Sequence, residues 1–504
     1  MSGFDDDSLT SPPQGAIEAT TAEGPEGPAV GRDEWVARHG EHRFRRGGVL
    51  GKVEERLSGV PWWAWLTLFL ALVALLPVGF ESGYVRRVAF DTVVYMLLAL
   101  GLNVVLGWGG LLDLGYVAFF GIGAYTYAVL NSDKYDIHLG ALPTLVVVLV
   151  VGAIAGFLVG LPSRRLSGDY LAIVTLFFLQ IFLTVTINSD SIRGENVLGG
   201  PNGILNVDPL TFFGHEIAVS HDGIFNIAYL YVALAIFAVV YVALRFVNHS
   251  RTGRAWRSLR EDSLAAELMG MPVNWLKLMS FAFGAAVAAL TGVLVASLNA
   301  SVFPQAYSFA LLITIYTMVI LGGTGSQAGV VLGAILINVT LEFLREPGDA
   351  RKLFYAMIVL GLLAAFRLSW RLGIVLGGTV VFGLVTHLVV KSIDESWVSG
   401  TAQGAGDLGD FASDFVIVPE HLARWVAPVT YIGLVALALL LTVLRGWLRI
   451  VVLVPTLYLA TFVWENVMLA EPEPTRYIVL GVLLIVLMIA RPNGIMGERR
   501  VEIV

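Results

Sequence analysis

Apolar runs of membrane-spanning length leave this chain few folds to choose from. A helix crossing a bilayer core about 30 Å thick needs roughly 17–25 mostly apolar residues, and about fourteen stretches here reach or approach that length. They lie at 62–80, 91–108, 111–130, 141–161, 170–187, 224–247, 277–299, 309–323, 327–345, 353–367, 372–391, 427–445, 449–466 and 476–490. With 57% of residues hydrophobic and 14% charged, a water-soluble domain would have nowhere to bury so much apolar surface. In hydrocarbon every backbone N–H and C=O must find a partner inside the structure, which favours helices for runs of this kind. The expected fold is all-α, a polytopic helical membrane protein.

The net charge is -7, but its distribution says more than its sum. With the N-terminus inside, Arg43, Arg45, Arg46, Lys52 and Arg56 are cytoplasmic. Alternation then puts Arg164–Arg165, the loop 248–276, Arg367–Arg371, Arg445–Arg449 and Arg491–Arg500 on the same side, the asymmetry expected of cytoplasmic loops. The mostly acidic loops 188–223 and 392–426 fall outside. Arg86–Arg87 and the group Arg345, Arg351 and Lys352 run against the rule. Both termini are expected to be cytoplasmic, in a plasma membrane. Residues 1–40 are too poor in apolar side chains to pack and are expected to be a disordered tail, followed by a basic juxtamembrane segment to residue 60. The acidic start has no apolar h-region, so no cleavable signal peptide is expected.

Glycine is the next organising signal. Gly152, Gly156 and Gly160 recur at four-residue spacing, a small-residue stripe that lets helices approach closely. Gly107–Gly110 (GWGG) and Gly322–Gly325 (GGTG) each interrupt an apolar run. Two readings fit these breaks: tight turns between neighbouring helices, or discontinuous helices whose freed backbone groups line a polar cavity. Ionisable residues at membrane depth call for a functional reading. Asp113, just after the first break, and Asn103 are candidates for a translocation path, although a hydrated turn near the cytoplasmic surface also accommodates Asp113. Glu342 and Glu465 sit near span ends, within reach of water. Asn103, Gln180 and Asn338 suit interhelical hydrogen bonds.

Enzyme chemistry has no foothold here. The eight histidines show no His-Glu-x-x-His spacing, there is no cysteine, and no Gly-x-Ser-x-Gly elbow occurs. Neither glycine cluster continues as a phosphate-binding Gly-Lys-Ser/Thr. No catalytic residue, metal site, cofactor or nucleic-acid partner is expected. A stand-alone secondary transporter or channel would want ion ligands at mid-membrane, and no ladder of buried carboxylates or histidines is evident.

The charged island Asn248–Lys277 interrupts this apolar landscape. Arg251, Arg254, Arg257 and Arg260 recur every third residue, Glu261 and Asp262 follow, and then comes an Ala-Ala-x-x-x-Gly element, Ala265, Ala266 and Gly270. Helix formers from Thr252 to Met269 predict a short helix against the membrane, offering a face to a cytoplasmic partner. Energy for transport would then arrive from outside the chain.

Several blocks resemble branched-chain amino acid ABC transporter permeases of the LivM type. They are LALGLNVVLGWGGLLDLGYVAFFGIGAYTYAVL (98–130), GDYLAIVTLFF (168–178), GGPNGI (199–204), GRAWRSLREDSLAAELMGMPVNWLKLMSFAFGAAVAALTG (253–292), MVILGGTGSQAGVVLGA (318–334) and RPNGIMG (491–497). The resemblance implies an ABC importer permease core over 61–367 with coupling loop 248–276. It also implies a second, LivH-like permease, two cytoplasmic ATPases that bind the ATP, an extracytoplasmic binding protein, and branched-chain or other small hydrophobic amino acids as cargo. Urea and short-chain amides are the alternative cargo. By the same resemblance Arg260, Glu261, Asp262, Ala265, Ala266 and Gly270 would couple the ATPases, although Leu264 stands where the pattern has Glu. The chain departs from the family before residue 60 and over 368–475, which adds transmembrane helices ahead of the last helix and C-terminus, 476–504.

Overall fold

The computed structural model describes residues 61–79, 83–164, 166, 168–189, 197–212, 215–217, 220–221, 224–366, 369–400, 414–490 and 494–497. The expected tail and basic segment, 1–60, lie outside them. The chain divides into two units, Met1–Leu68 and Phe69–Val504. Of the first, only residues 61–68 are described, helical from Trp62. The contacts below belong to the second.

Helices stand at every apolar stretch expected to span. They are α1 (Trp62–Gly79), α2 (Gly83–Leu102, continued by a π-helix Asn103–Trp108), α3 (Tyr116–Leu130), α4 (Ala141–Gly160), α5 (Asp169–Ile187) and α6 (Ile227–His249). The island forms α7 (Arg251–Glu261) and α8 (Ser263–Leu268). Then follow α9 (Val273–Asn299), α10 (Phe309–Gly322), α11 (Gln327–Phe343), α12 (Pro347–Phe366), α13 (Trp370–Ile393), α14 (Val426–Val443), α15 (Trp447–Val463, continued by a π-helix Trp464–Met468) and α16 (Pro472–Ala490). This is a multi-pass, all-α membrane protein.

Two expectations about the spans need correction. Among the described residues nine helices are long and apolar enough to cross a membrane, or up to ten with a bent pair taken as one span, not fourteen. The bent pair is α11 with α12, whose axes turn by 120° at the break. The span expected at 111–130 starts only at Tyr116. Gly110 takes φ +66° and the Asp113 carboxylate holds the Gly115 N–H, so the chain is not helical before that point. The island is two helices rather than one. Asp262 breaks it by accepting the Leu264 and Ala265 N–H groups at 2.9 and 3.0 Å, a side chain competing with the backbone for its donors.

The core forms around α9, and small residues make it possible. In lipid there is no hydrophobic drive between helices, so association depends on close packing. A Cβ built on Gly152 would lie 2.5 Å from Ala289 Cβ, and one on Gly156 2.5 Å from both Ala285 Cβ and the Phe281 carbonyl. On another face of α9, a Cβ on Gly284 would lie 2.5 Å from Val105. The apolar stretch is 78% buried in α2 and 67% in α9, against 11% in α13 and 6% in α14, so α2 and α9 are the central helices and α13 and α14 the most exposed spans.

At one end of the bundle short strands tie the loops together. Asn131–Ser132 pairs with Ile137–His138, Ile204–Leu205 pairs with Ser301–Val302, and Ser132 bridges to Val207. His138 Nδ1 lies 2.5 Å from Asp208 Oδ2, and that hydrogen bond raises the pKa of the exposed imidazole. Asp133, His138 and Asp208 bring ligand-type atoms within 4.8 Å of one another here, a juxtaposition the sequence did not announce.

Candidate functional site

The opposite end gathers the motifs that the sequence singled out. After Leu102 the backbone of α2 widens into the π-helix Asn103–Trp108, and Gly109 and Leu111 bond back to Val104 and Val105. Helix α10 stops at Gly322, where Gly323 (φ +109°) and Gly325 (φ +93°) make a tight turn into α11. The two breaks touch: a Cβ on Gly107 would lie 2.6 Å from the Gly325 nitrogen.

Backbone groups freed by a break at membrane depth must be paired again, and each of those bonds crosses between distant segments. Buried Asn103 accepts the Gly325 N–H at 2.8 Å, and the Trp108 indole N–H donates to the Gly325 carbonyl at 2.9 Å. Arg260, from α7, donates to the Gly107 carbonyl at 2.7 Å and to the Thr324 hydroxyl at 3.2 Å. The C-terminal Gly-Ile-Met-Gly segment closes the set, with Ile495 and Met496 N–H donating to the Leu321 and Gly322 carbonyls at 2.9 and 3.0 Å. Trp256 of α7 stacks on Trp108, 6.2 Å between centroids with planes 19° apart, and donates its indole N–H to Leu276 O at 2.8 Å. Both rings are buried. The charged loop is thus fixed to both glycine breaks by a stacked tryptophan pair and a charge-assisted fork.

The candidate coupling residues divide between two faces. Arg260 points into this hub, and Ala266 is buried against the protein's own helices. Glu261, Asp262, Ala265 and Gly270 are exposed, Asp262 as the cap of α8 and Gly270 at φ +79° with open space around it. Sequence reasoning missed the apolar side chains between them. Leu264 is 65% exposed, Leu268 80% and Met269 85%, a small apolar patch on an otherwise charged loop. The i, i+4 spacing of Leu264 and Leu268 was the signal available in the sequence. Trp256, Trp108 and Thr324 were also missed.

Three polar residues differ from expectation. Asp113 is not a hydrated turn residue: it is fully buried. Its N–H donates to the Tyr316 hydroxyl at 3.0 Å, that hydroxyl donates to the Asp113 carbonyl at 2.7 Å, and one carboxylate oxygen accepts from Gly115 N–H at 2.9 Å. Glu465 does not reach water. Its side chain is 0% exposed and takes a fork of bonds from Arg351 at 2.8 to 3.1 Å. Gln180 is exposed on α5 rather than bonded between helices, whereas Asn338 donates to Thr92 across α11 and α2 at 2.8 Å.

A family described as "Branched-chain amino acid transport system / permease component" matches residues 84–366. The high-affinity branched-chain amino acid transport system permease protein LivM of Salmonella typhimurium is 38% identical over 301 residues, covering 56% of this chain and 68% of its own length. LivM of Escherichia coli is 36% identical over 323 residues, covering 61% and 73%. The permease protein LivH of Escherichia coli is 25% identical over 257 residues, covering 49% and 80%. No solved structure matches. The family body ends where α12 ends, and α13–α15 lie beyond it. The chain belongs to the permease-component family of branched-chain amino acid transport systems.

Proposed function

We propose that this chain is one of two membrane subunits of an ABC importer that carries branched-chain amino acids inward across the plasma membrane. In this reading two cytoplasmic ATPases bind and hydrolyse the ATP, and an extracytoplasmic binding protein delivers the cargo. The relatives are named permease proteins of branched-chain amino acid transport systems, and both LivM and LivH types occur among them, which supports a paired permease. The observation that carries the coupling mechanism is the wiring of α7 to the glycine breaks through Arg260 and the Trp256–Trp108 stack. Movement of α7–α8 by a docked ATPase would pull on Gly107 and Thr324 together and so reach α2 and α10 at once. Leu264, Leu268 and Met269 are the surface for docking.

The charge pattern supports an orientation with the hub and both termini cytoplasmic. Most of its exceptions are neutralised in place: Arg87 pairs with Asp91, Arg345 with Glu342, Lys352 with Asp349 and Arg351 with Glu465. The chain has no native cysteine, so single introduced cysteines report the topology. Ser263→Cys should resist an impermeant thiol reagent in intact cells and react after permeabilisation, while Glu216→Cys should react in intact cells. The reverse pattern overturns the orientation.

Uptake of labelled leucine, isoleucine, valine and urea in a deletion strain tests the cargo, with the three amino acids expected to enter by this route and urea not. The coupling surface is tested by Leu264→Asp with Leu268→Asp. Burying one leucine side chain contributes roughly 1.5–3 kcal/mol, so losing both should lower uptake by about tenfold or more at unchanged membrane insertion. Wild-type uptake in the double variant would remove α8 from the docking surface.

A further inference from the structure

At the end opposite the hub, α2, α3, α9, α10, α11 and α16 line a half-open pocket of about 410 Å³. Its wall carries charges of both signs, Asp91, Glu342 and Arg476, beside the apolar side chains Leu98, Phe120 and Leu311. Asp91 also meets Arg87 at 3.2 Å, and Glu342 accepts from the Tyr84 hydroxyl at 2.7 Å and from Arg345 at 3.3 Å. Arg476 differs from these: its Nε is buried without a hydrogen-bond partner among the described residues. A guanidinium N–H left unmade at a buried position costs free energy unless something occupies it. Asp91, Tyr95 and Leu98 run down one face of α2, and Ser308, Leu311 and Thr314 mark the matching stretch at α10. At 1.5 Å per residue the site reaches about 10 Å along the helices.

From this combination we infer that the cavity is a binding site for the transported amino acid, Arg476 taking the α-carboxylate, Asp91 the α-ammonium, and Leu98, Phe120 and Leu311 the aliphatic side chain. The inference rests on the amino-acid importer reading and adds where the cargo sits. An amphipathic zwitterion needs opposite charges near one end of an apolar pocket, and a space in the range of small-molecule sites. A lipid acyl chain would want no carboxylate and guanidinium in the wall. The position also serves transport. Helices α2 and α10 line the cavity at one end and carry Asn103 and the Gly322–Gly325 turn of the hub at the other. Cargo and coupling loop therefore act on the same pair of helices. Arg476 lies beyond the family-matched segment, so the last helix, and not only the shared body, supplies a binding group.

The test uses the complete transporter, with its partner permease, ATPases and binding protein, in proteoliposomes. Arg476→Gln should cut the leucine uptake rate at saturating substrate by about tenfold or more, the loss of one charge-assisted bond, while Arg476→Lys retains most of it. ATPase stimulation by the loaded binding protein should persist in both, which separates a cargo site from a folding defect. In an otherwise wild-type chain Thr314→Cys should be protected from a thiol reagent by leucine, and Arg476→Gln should abolish that protection. If wild-type transporter takes up leucine and Arg476→Gln does so at the same rate, the site is wrong and the importer reading stands. In the detergent-solubilised complex, protection of Thr314→Cys by added phospholipid and not by leucine would make the cavity a lipid site. If the wild-type complex moves none of the three amino acids, the importer reading and this site fall together.

Discussion

Replacing Arg351 with Met, or Glu465 with Leu, should each destabilise the detergent-extracted protein by about 3–5 kcal/mol, and making both changes at once should recover most of that loss. The pair is almost wholly buried, 1% and 0% exposed by side chain. Removing one partner strands the other charge away from water, and stranding dominates the energetics. An apolar pair of similar volume has no such charge to strand. The surroundings fit it: Leu344, Ala350, Trp464 and Leu469 form a cluster, with Phe354 stacked on Trp464 at 4.3 Å. Tyr355 adds a weak bond to Glu465 at 3.3 Å. The pair also joins α12, the last helix of the family-matched body, to the π-helix that ends α15. Either single variant should therefore loosen the additional helices first. Unfolding midpoints of the two single variants and the double variant decide it. Single variants as stable as wild type would show the pair to be solvated in the membrane and structurally idle.

That ion pair also marks where the sequence stopped being legible. Helical spans follow from run length alone, and the Gly152–Gly156–Gly160 stripe follows from periodicity, because both signals lie within one segment. Glu465 read as a span-end residue because its partner stands 114 residues away, and no local pattern encodes such a distance. The same limit applied to Arg260. The family resemblance placed it among the partner-coupling residues, yet its bonds to Gly107 and Thr324 depend on how three separate segments meet. Asp262 shows a different limit. Helix propensity ran unbroken from Thr252 to Met269, and one side chain bonding to Leu264 and Ala265 overrode it. The motifs were recognised one by one as GWGG, GGTG, the island and the C-terminal RPNGIMG block. Their convergence into one hub appeared only in the fold.

Gly156→Leu should prevent stable assembly, whereas Val150→Leu on the same helix should leave stability within about 0.5 kcal/mol of wild type. Val150 is 48% exposed and has room to grow. Gly156 faces α9, where the first added carbon would already sit 2.5 Å from Ala285 Cβ and from the Phe281 carbonyl oxygen. One of those neighbours is backbone, so no rotamer change relieves the clash and α4 must move away. Gly152 and Gly160 press on the same helix, and displacement at the middle of the stripe forfeits contacts at both ends. Overpacking alone costs typically about 1–3 kcal/mol, and here separation of two helices in lipid is added to it, since dispersion contacts are what hold them together. Gly156→Ala should fall between the two, destabilised by about 1–3 kcal/mol yet folded. Yield of monodisperse protein and the thermal midpoint in detergent give the ranking Val150→Leu, Gly156→Ala, Gly156→Leu from most to least stable. Equal midpoints for the two leucine variants would mean that α4 turns its glycines to lipid, and α9 would then lose its place as the centre of the bundle.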